Sequence, residues 1–581
     1  MDRGRVALSR QAPYIGNVVR RSSPWLAPLG FLALFYFYPL ASILQTSFAR
    51  GEAGLVAPFI DVISSASMRG VLWFTLWQAA LSTLLTMLFG LPGAFLLARY
   101  EFRGKSVILA LTGISFVLPT LVVAAAFNAI LGPRGWANLA LMDLFGLIQP
   151  PIHFVNTFLA ILTAHVFYNT TIVLRIVGDY WSHLDPRMGQ AAQTLGADRW
   201  RTLVHVTLPL LMPAVTTAAL LIFIFNFTSF GVILVLGGPR FATLEVEIYN
   251  QTIGLFNLPL AATLAMIQLV FTLCLTIAYT RFSARLSSPN TLRPRRFSQR
   301  CLTNWRSRLL ASLYLTALLA LLVLPLAALV TRSFLRVEPP RSGSTNWEAD
   351  FTLDYYRELS VNRKESLFYT PPTTAIGVSL GYALATTCLA LALGLPAAWA
   401  LARDARSPAS RIFDPMLMLP LGTSAVTLGL GFIVALDQPP LDLRASILLV
   451  PLAHTLVAFP FVVRSLTPSL RSIRPRLRQA AEVMGATPLQ AFRHIDLPII
   501  GRALLVAATF AFAISFGEFG ATALVARPEY PTIPVMIYRY LSQPGALNYG
   551  QALALSTLLA VITALSMLAI ERFRVADVGE F

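Results

Sequence analysis

Twelve apolar stretches of about bilayer length run through this 581-residue chain and leave few folds open to it. They lie near 25–47, 71–98, 107–131, 154–178, 210–236 and 258–280, then near 309–331, 374–402, 412–436, 445–465, 502–526 and 548–570. A lipid-facing backbone must satisfy its own hydrogen bonds, and roughly 20 residues cross the hydrocarbon core as a helix. Proline and glycine inside several stretches are compatible with this, because membrane helices tolerate both. The composition agrees: 56% apolar, 12% charged and a mean hydropathy of +0.67, against about 25% charged residues in soluble domains. The expected fold class is all-α, a polytopic membrane protein with twelve transmembrane helices. The first run is long and no small-residue cleavage motif follows it, so it is read as a retained helix and not as a cleaved leader.

A net charge of +18 invites a nucleic-acid reading, which the distribution of the charge answers. With the N-terminus cytoplasmic, the inside segments are 1–24, 99–106, 175–208, 281–308, 403–411, 464–502 and 572–581. They hold 32 of the 45 Lys and Arg. That is the positive-inside pattern, so the excess is topological; both termini are expected in the cytoplasm and no nucleic acid is expected as a partner. Cys274 and Cys388 fall in membrane segments and Cys301 in a linker, with neither a disulfide framework nor a zinc spacing.

One polar stretch occurs twice. Gln190-Ala191-Ala192, Gly196 and Val206-Thr207-Leu208-Pro209 return as Gln479-Ala480-Ala481, Gly485 and Ile495-Asp496-Leu497-Pro498, at a constant offset of 289. The same offset carries His165 onto His454, Arg175 onto Arg464, Pro186 onto Pro475, His205 onto His494 and Gly231 onto Gly520. Gly90-Leu91-Pro92 with Leu97-Ala98-Arg99 matches Gly394-Leu395-Pro396 with Leu401-Ala402-Arg403, and Pro119 matches Pro420. Their offsets of 304 and 301 place the length changes in loops. Six apolar runs per half put both halves in the same orientation, as a parallel repeat about the membrane normal. The division reads as follows: a cytoplasmic N-terminus (1–24), a first transmembrane domain (25–282), an Arg-, Ser- and Pro-rich cytoplasmic linker (283–308), a second transmembrane domain (309–571) and a cytoplasmic C-terminus (572–581). The outside loop 332–373 carries Trp347, Tyr355 and Tyr356; it is long enough to touch another protein, and a plain solvated loop is the alternative.

Each copy of the polar stretch, 179–209 and 468–498, falls on the cytoplasmic side between the fourth and fifth helices of its half. Good helix formers fill 190–195 and 479–484, and Gly196 and Gly485 suit a left-handed helix end. A second short helix is expected over 197–205 and 486–494, with Pro209 and Pro498 opening the fifth helix of each half. The product is a helix–turn–helix along the inner face, with small Ala residues permitting close approach by a partner. An ordinary interfacial loop is the bland alternative, but it has no need of the same skeleton twice.

This pattern resembles the EAA loop of permease subunits of ABC importers: Glu-Ala-Ala, three residues, Gly, nine residues, then Ile-x-Leu-Pro. The chain departs by Gln at the leading position in both copies and by Val206 for Ile in the first. The likeness covers nearly the whole chain, as two fused type I transmembrane domains. It is closest to the thiamine (or thiamine pyrophosphate) permeases, then to the ferric-iron permeases. The thiamine-type likeness rests on Trp77-Gln78-Ala79, Ala164-His165-Val166-Phe167-Tyr168-Asn169, Phe227-Thr228-Ser229-Phe230 and Leu236-Gly237-Gly238-Pro239, while Ser515-Phe516-Gly517-Glu518-Phe519-Gly520 has Glu where that type tends to carry Asp.

The resemblance implies that Gln190, Ala191, Ala192, Gly196, Leu208, Pro209, Gln479, Ala480, Ala481, Gly485, Leu497 and Pro498 couple to two cytoplasmic ABC ATP-binding subunits. It further implies an external solute-binding protein, periplasmic or lipid-anchored, a multi-pass location in the bacterial inner membrane among membrane lipid, and alternating access. No cofactor is expected in this chain, with Mg-ATP on the partner subunits, and no enzymatic activity of its own. The stretch Arg99 to Ser106 ends like a Walker A loop but has Arg99 where the first glycine belongs and follows no soluble strand.

Six histidines show no metal-ligand spacing and no catalytic constellation appears. His205 and His494 sit inside the repeated stretches, where contact with the ATPase or a neighbouring carbonyl is the plain reading. His165 and His454 occupy equivalent depths, as helix–helix hydrogen-bond partners or as lining of the substrate path. Glu518 lies at membrane depth, where a charge costs about 2.5–3.5 kcal/mol, so it is expected to face the central pathway and to favour a cationic substrate. Asn169, Asn226 and Ser229 are weaker candidates of the same kind. The rival reading is an ion-coupled secondary transporter with parallel repeats, which would cluster its ionisable groups at the midplane.

Overall fold

Apolar runs without an internal breaker become single helices, and the breakers fix where the others stop. The computed structural model describes residues 24–48, 57–286, 300–301, 304–338, 348–361, 370–403, 407–437 and 441–573. The expected cytoplasmic N-terminus, most of the linker, nearly all of the C-terminal segment and Trp347 lie outside the described residues. In the first repeat α1 is Pro24–Phe48 and α2 Ala66–Arg99. They are followed by α3 (Lys105–Val117), α4 (Thr120–Leu131), α5 (Phe158–His183), α6 (Pro186–Thr194), α7 (Arg199–Phe227), α8 (Gly231–Leu236) and α9 (Leu258–Ser283). The second repeat reproduces the series: α10 (Trp305–Ser333), α11 (Pro372–Arg403), α12 (Pro408–Gly422), α13 (Ala425–Ala435), α14 (Leu449–Ser472), α15 (Pro475–Val483), α16 (Leu489–Gly517), α17 (Gly520–Val525) and α18 (Ala546–Ile570).

Ten of these helices are long and apolar enough to cross a membrane unbroken; the third apolar run of each half is instead a bent pair. The expected spans 107–131 and 412–436 are present as broken ones: α3 meets the helical stretch Thr120–Phe145 that α4 opens at 109°, and α12 meets α13 at 97°. Pro119 explains the first bend, because the residue before a proline is pushed out of the helical region, and Leu118 is extended (φ −58, ψ 137). In the second, Pro420 sits in a 3₁₀ turn and Ser424 restarts the helix, its hydroxyl accepting from the N–H groups of Val426 and Thr427. The fifth span of each half also shifts. It was expected over 210–236 and 502–526, but the helices run Arg199–Phe227 and Leu489–Gly517 and break before α8 and α17.

The sequence repeats and the compact units divide the chain differently. Among the described residues, one unit gathers those within 24–46, 377–527 and 565–573, and the other those within 47–376 and 528–564. In the first unit α14 packs along α16 and α13 against α17, with α1 held by the Tyr36 hydroxyl on Thr423 Oγ1 at 2.7 Å. In the second, α2 packs on α5 and α7, α7 on α9, and α10 on α4. Its buried core includes Met87, Ala94, Ile172, Val173, Leu211, Ala218 and Ile222.

Close approach at matched glycines sets one helix crossing in each half. A β-carbon on Gly90 would stand 2.7 Å from Val173 Cβ, and one on Gly394 would stand 2.5 Å from Val462 Cγ1. The contacted valines are themselves 289 residues apart. The duplicated Gly-Leu-Pro stretch thus works as a packing device for α2 on α5 and α11 on α14.

Candidate coupling segments and buried histidine clusters

Asp185 begins the first polar stretch by capping α6, its carboxylate accepting from Arg187 N at 3.0 Å. The helix ends at Gly196, whose φ of +92° is the left-handed conformation that glycine adopts without steric cost. There Ala197 N donates to Ala192 O and Gly196 N to Gln193 O, both at 3.0 Å, closing the helix end with the paired bonds of a glycine C-cap. The second copy is the same in kind: Gly485 has φ +82°, Ala486 N donates to Ala481 O at 2.9 Å and Gly485 N to Glu482 O at 3.0 Å. Asp198 restarts the chain in the first copy, accepting from Arg201 N at 2.7 Å. In the second, Thr487 and Gln490 cap each other reciprocally.

The short helix after the turn runs on through a π turn as part of α7 and α16, and Pro209 and Pro498 stand in the first turn of the α-helical stretches Leu208–Phe227 and Leu497–Gly517, as expected. Each proline follows a five-residue π turn, Leu203–Thr207 and Phe492–Asp496, closed by Leu208 N on Leu203 O and by Leu497 N on Phe492 O. A proline ring clashes with the carbonyl four residues back in a regular helix, and a wider turn relieves that clash.

The bends are bare. Leu195 is 89% exposed and Trp200 71%; Val483, Met484 and Leu489 are 88%, 81% and 74% exposed. Gln190, Ala191, Gly196, Leu208 and Pro209 are exposed, as are Gln479, Ala480, Gly485 and Pro498. Ala192 and Leu497 are half-buried, and Ala481 is buried. The second copy is braced more firmly: Arg478 Nε donates to both oxygens of the buried Asp496 at 2.8 and 3.1 Å. Gly189 and Thr207 stand at the matching positions of the first copy. His205 and His494 each contact the backbone carbonyl four residues earlier, as the plain reading expected.

The two intramembrane histidines are both buried helix–helix partners. His165 bonds Ser82 Oγ through Nδ1 and Ser229 Oγ through Nε2, each at 2.9 Å. His454 bonds Ser515 Oγ through Nδ1 at 2.8 Å and Thr522 Oγ1 through Nε2 at 2.7 Å, with Glu518 Oε2 at 3.2 Å from the same nitrogen. Ser515 in turn donates to Thr386 Oγ1 at 3.1 Å. The repeat offsets align the two clusters: Ser82 with Thr386, Asn226 with Ser515, and Ser229 with Glu518. The His165 ring therefore bridges α2 and the break after α7, whereas the His454 ring joins the end of α16 to α17 and reaches α11 only through Ser515.

Glu518 is held inside this framework. Its carboxylate accepts from Ala521 N at 2.9 Å, Thr522 N at 3.1 Å and Thr522 Oγ1 at 2.8 Å, and its side chain is 7% exposed. These are the contacts of a carboxylate that closes the start of α17 and faces His454. Asn169 donates to Asn226 Oδ1 at 2.7 Å, Asn226 donates to Thr83 Oγ1 at 3.4 Å, and Gln78 donates to the Asn226 carbonyl at 2.8 Å.

Ser82, Thr83, Thr386 and Thr522 went unread because hydroxyls are ordinary in membrane helices; the repeat offset, which carries Ser82 onto Thr386, was a signal for that pair. Glu245, also unread, is a fully buried carboxylate that accepts from the Gln268 amide.

The likenesses to known proteins fit this geometry. Residues 90–288 and 390–575 each match the family described as binding-protein-dependent transport system inner membrane component. The thiamine transport system permease protein ThiP of Brucella abortus (strain 2308) is 29% identical over 566 residues, covering 95% of this chain and 96% of that protein. The protein of the same name from Escherichia coli (strain K12) is 27% identical over 554 residues, covering 90% and 93%. Among solved structures, a bacterial ABC transporter that imports the acidic polysaccharide alginate has a chain aligning to 47% of this one and to all of itself, at 16% identity and a TM-score of 0.40. With the family matched once in each repeat, over the helices that carry both exposed turns, the chain belongs to the inner-membrane permeases of binding-protein-dependent ABC importers.

Proposed function

We propose that this permease moves a thiamine-type compound inward by alternating access, driven by two ATP-binding subunits that grip α6 and α15. The observation that carries the coupling role is the pair of exposed, glycine-terminated turns at one fixed offset, each presenting bare apolar side chains. A monomeric surface has little reason to expose Trp200, Val483, Met484 and Leu489 together with their small alanine neighbours, whereas a groove on a partner would cover them. The thiamine-type assignment is supported by relatives of that name along nearly the full length. A solute-binding protein would deliver the compound to the outside mouth.

The test begins with Gly485→Val. Nothing lies within 4 Å of where its β-carbon would stand, so the substitution acts through the left-handed backbone alone, at about 1–2 kcal/mol. Insertion should be retained, with hydrolysis by the reconstituted complex continuing while uptake falls. Gly485→Asn, which tolerates that conformation, should keep most uptake. Normal uptake by the Val variant would remove the coupling role. For the cargo, labelled thiamine should accumulate in cells expressing the complete system, and ferric iron should not compete; accumulation of iron alone would overturn the assignment.

A further inference from the structure

Among the described residues, only Asn156 and Phe256 turn the backbone through positive φ without being glycine, at +63° and +52°. Asparagine tolerates that region, whereas a bulky aromatic stays there only when its surroundings hold it. The surroundings of Phe256 do so. The chain leaves the helix Leu244–Tyr249 through a π turn, Asn250–Gly254, and folds back on it. Leu255 N donates to Asn250 O at 2.9 Å and Asn257 N to Gln251 O at 2.7 Å, and Ala261 N donates to Asn257 O at 3.0 Å as α9 begins. The strained residue is nevertheless bare: Phe256 is 80% exposed, beside Leu255 at 66% and Ile253 at 38%.

The repeat separates the turn from the side chain it carries. Tyr249 and Tyr538 match at the offset of 289, and the same offset carries Phe256 onto Gly545, whose φ is +121°. Both halves thus turn through positive φ just before their last helix, and the second uses the residue that does so without steric cost. Its turn is Ser542-Gln543-Pro544-Gly545, polar and exposed, where the first has Ile253-Gly254-Leu255-Phe256. What the first half adds is an apolar surface on a fixed backbone.

Both turns lie at the end of the last helix away from the basic segments 281–308 and 572–581, the side that the charge distribution places outside. A bilayer surrounds both halves alike and would favour the same solution at both turns. A single protein seated across a two-fold repeat presents a different surface to each matched position, and the family is described as binding-protein-dependent. We propose that Phe256, with Leu255 beside it, is an apolar anchor that enters a pocket of the solute-binding protein, and that the Ser542–Gly545 turn supplies no such anchor. An aromatic ring offers a large contact area with few rotors and dominates interfaces of this kind. A turn fixed before docking also removes the cost of ordering it. The inference rests on the reading that a solute-binding protein delivers the cargo, and adds where this chain grips it.

The test uses the complete importer in phosphatidylcholine nanodiscs, with the labelled solute-binding protein of the same transport system as probe. The wild type should bind it saturably. Phe256→Gly should weaken apparent affinity by about tenfold or more, and Phe256→Tyr should stay within about threefold of the wild type. Thermal unfolding of the full chain separates an anchor from a merely structural residue. Glycine relieves the left-handed turn, so Phe256→Gly should unfold no earlier than the wild type even as it docks worse. A variant that docks worse and also unfolds earlier marks a structural residue and overturns the anchor. So does a Phe256→Gly importer that docks like the wild type, while delivery by a binding protein stands; earlier unfolding of that variant in discs but not in detergent then identifies lipid as what the ring meets. A wild type that binds none of the probe removes the delivery reading itself, and the anchor with it.

Discussion

Ser229 and Glu518 occupy one position of the repeat and do different work there. Ser229 completes the shell of His165 with a single hydroxyl. Glu518 faces His454, caps α17 and takes the Thr522 hydroxyl besides. Removing the carboxylate leaves two backbone N–H groups and the Thr522 hydroxyl without their acceptor, at about 1–3 kcal/mol for a buried group so stranded, whereas losing one neutral hydrogen bond costs about 1 kcal/mol. Glu518→Ala should therefore lower the unfolding midpoint far more than Ser229→Ala, measured on the purified protein in one detergent. Equal effects would mean that the carboxylate is not integral to its half. A cationic cargo that used Glu518 would have to compete with His454 and Thr522, which makes the preference for a cation expected from the sequence a matter of displacement and not of open attraction.

The π turns before Pro209 and Pro498 are the least readable elements. Proline in an apolar run signals either a start or an interruption, and sequence alone favours the start, because a missing N–H costs least there. The prolines do start α-helical stretches, and the five-residue turns join those starts to the short helices before them. Such a turn absorbs one residue more than a regular helix needs and leaves the flanking turns facing as they would in an unbroken helix. Adding a further alanine after Val204 should turn everything N-terminal to it by about 100°. Insertion should survive, with uptake lost in the reconstituted complex; retained uptake would show that the segment's facing does not matter. The left-handed glycines, by contrast, were legible, since Gly196 and Gly485 end polar helices made of good helix formers. The bends between α3 and α4 and between α12 and α13 were half-legible: Pro119 and Pro420 were noticed as a pair, but apolar periodicity reports length and not direction.

At the scale of the molecule, the repeat was visible and the way its helices sort into compact units was not. The unit that contains 377–527 includes α1, tied by Tyr36 to Thr423. Nothing in an apolar run names the helix it will pack against; that choice rests on shape, such as the approach of Pro39 and Ile43 to Gly431. Tyr36→Phe should cost about 0.5–1.5 kcal/mol. Removing residues 1–48 should raise hydrogen exchange in α13 well before that in α4, and uniform exchange would contradict the sorting. The Tyr36–Thr423 bond spans 387 positions of sequence. On a ribosome adding about 5–20 residues per second, the first helix waits roughly 20–80 s for the hydroxyl it will meet. Through that interval a largely apolar rod sits in lipid with its final neighbours unmade, so assembly of this protein must tolerate a long-lived, temporarily orphaned segment.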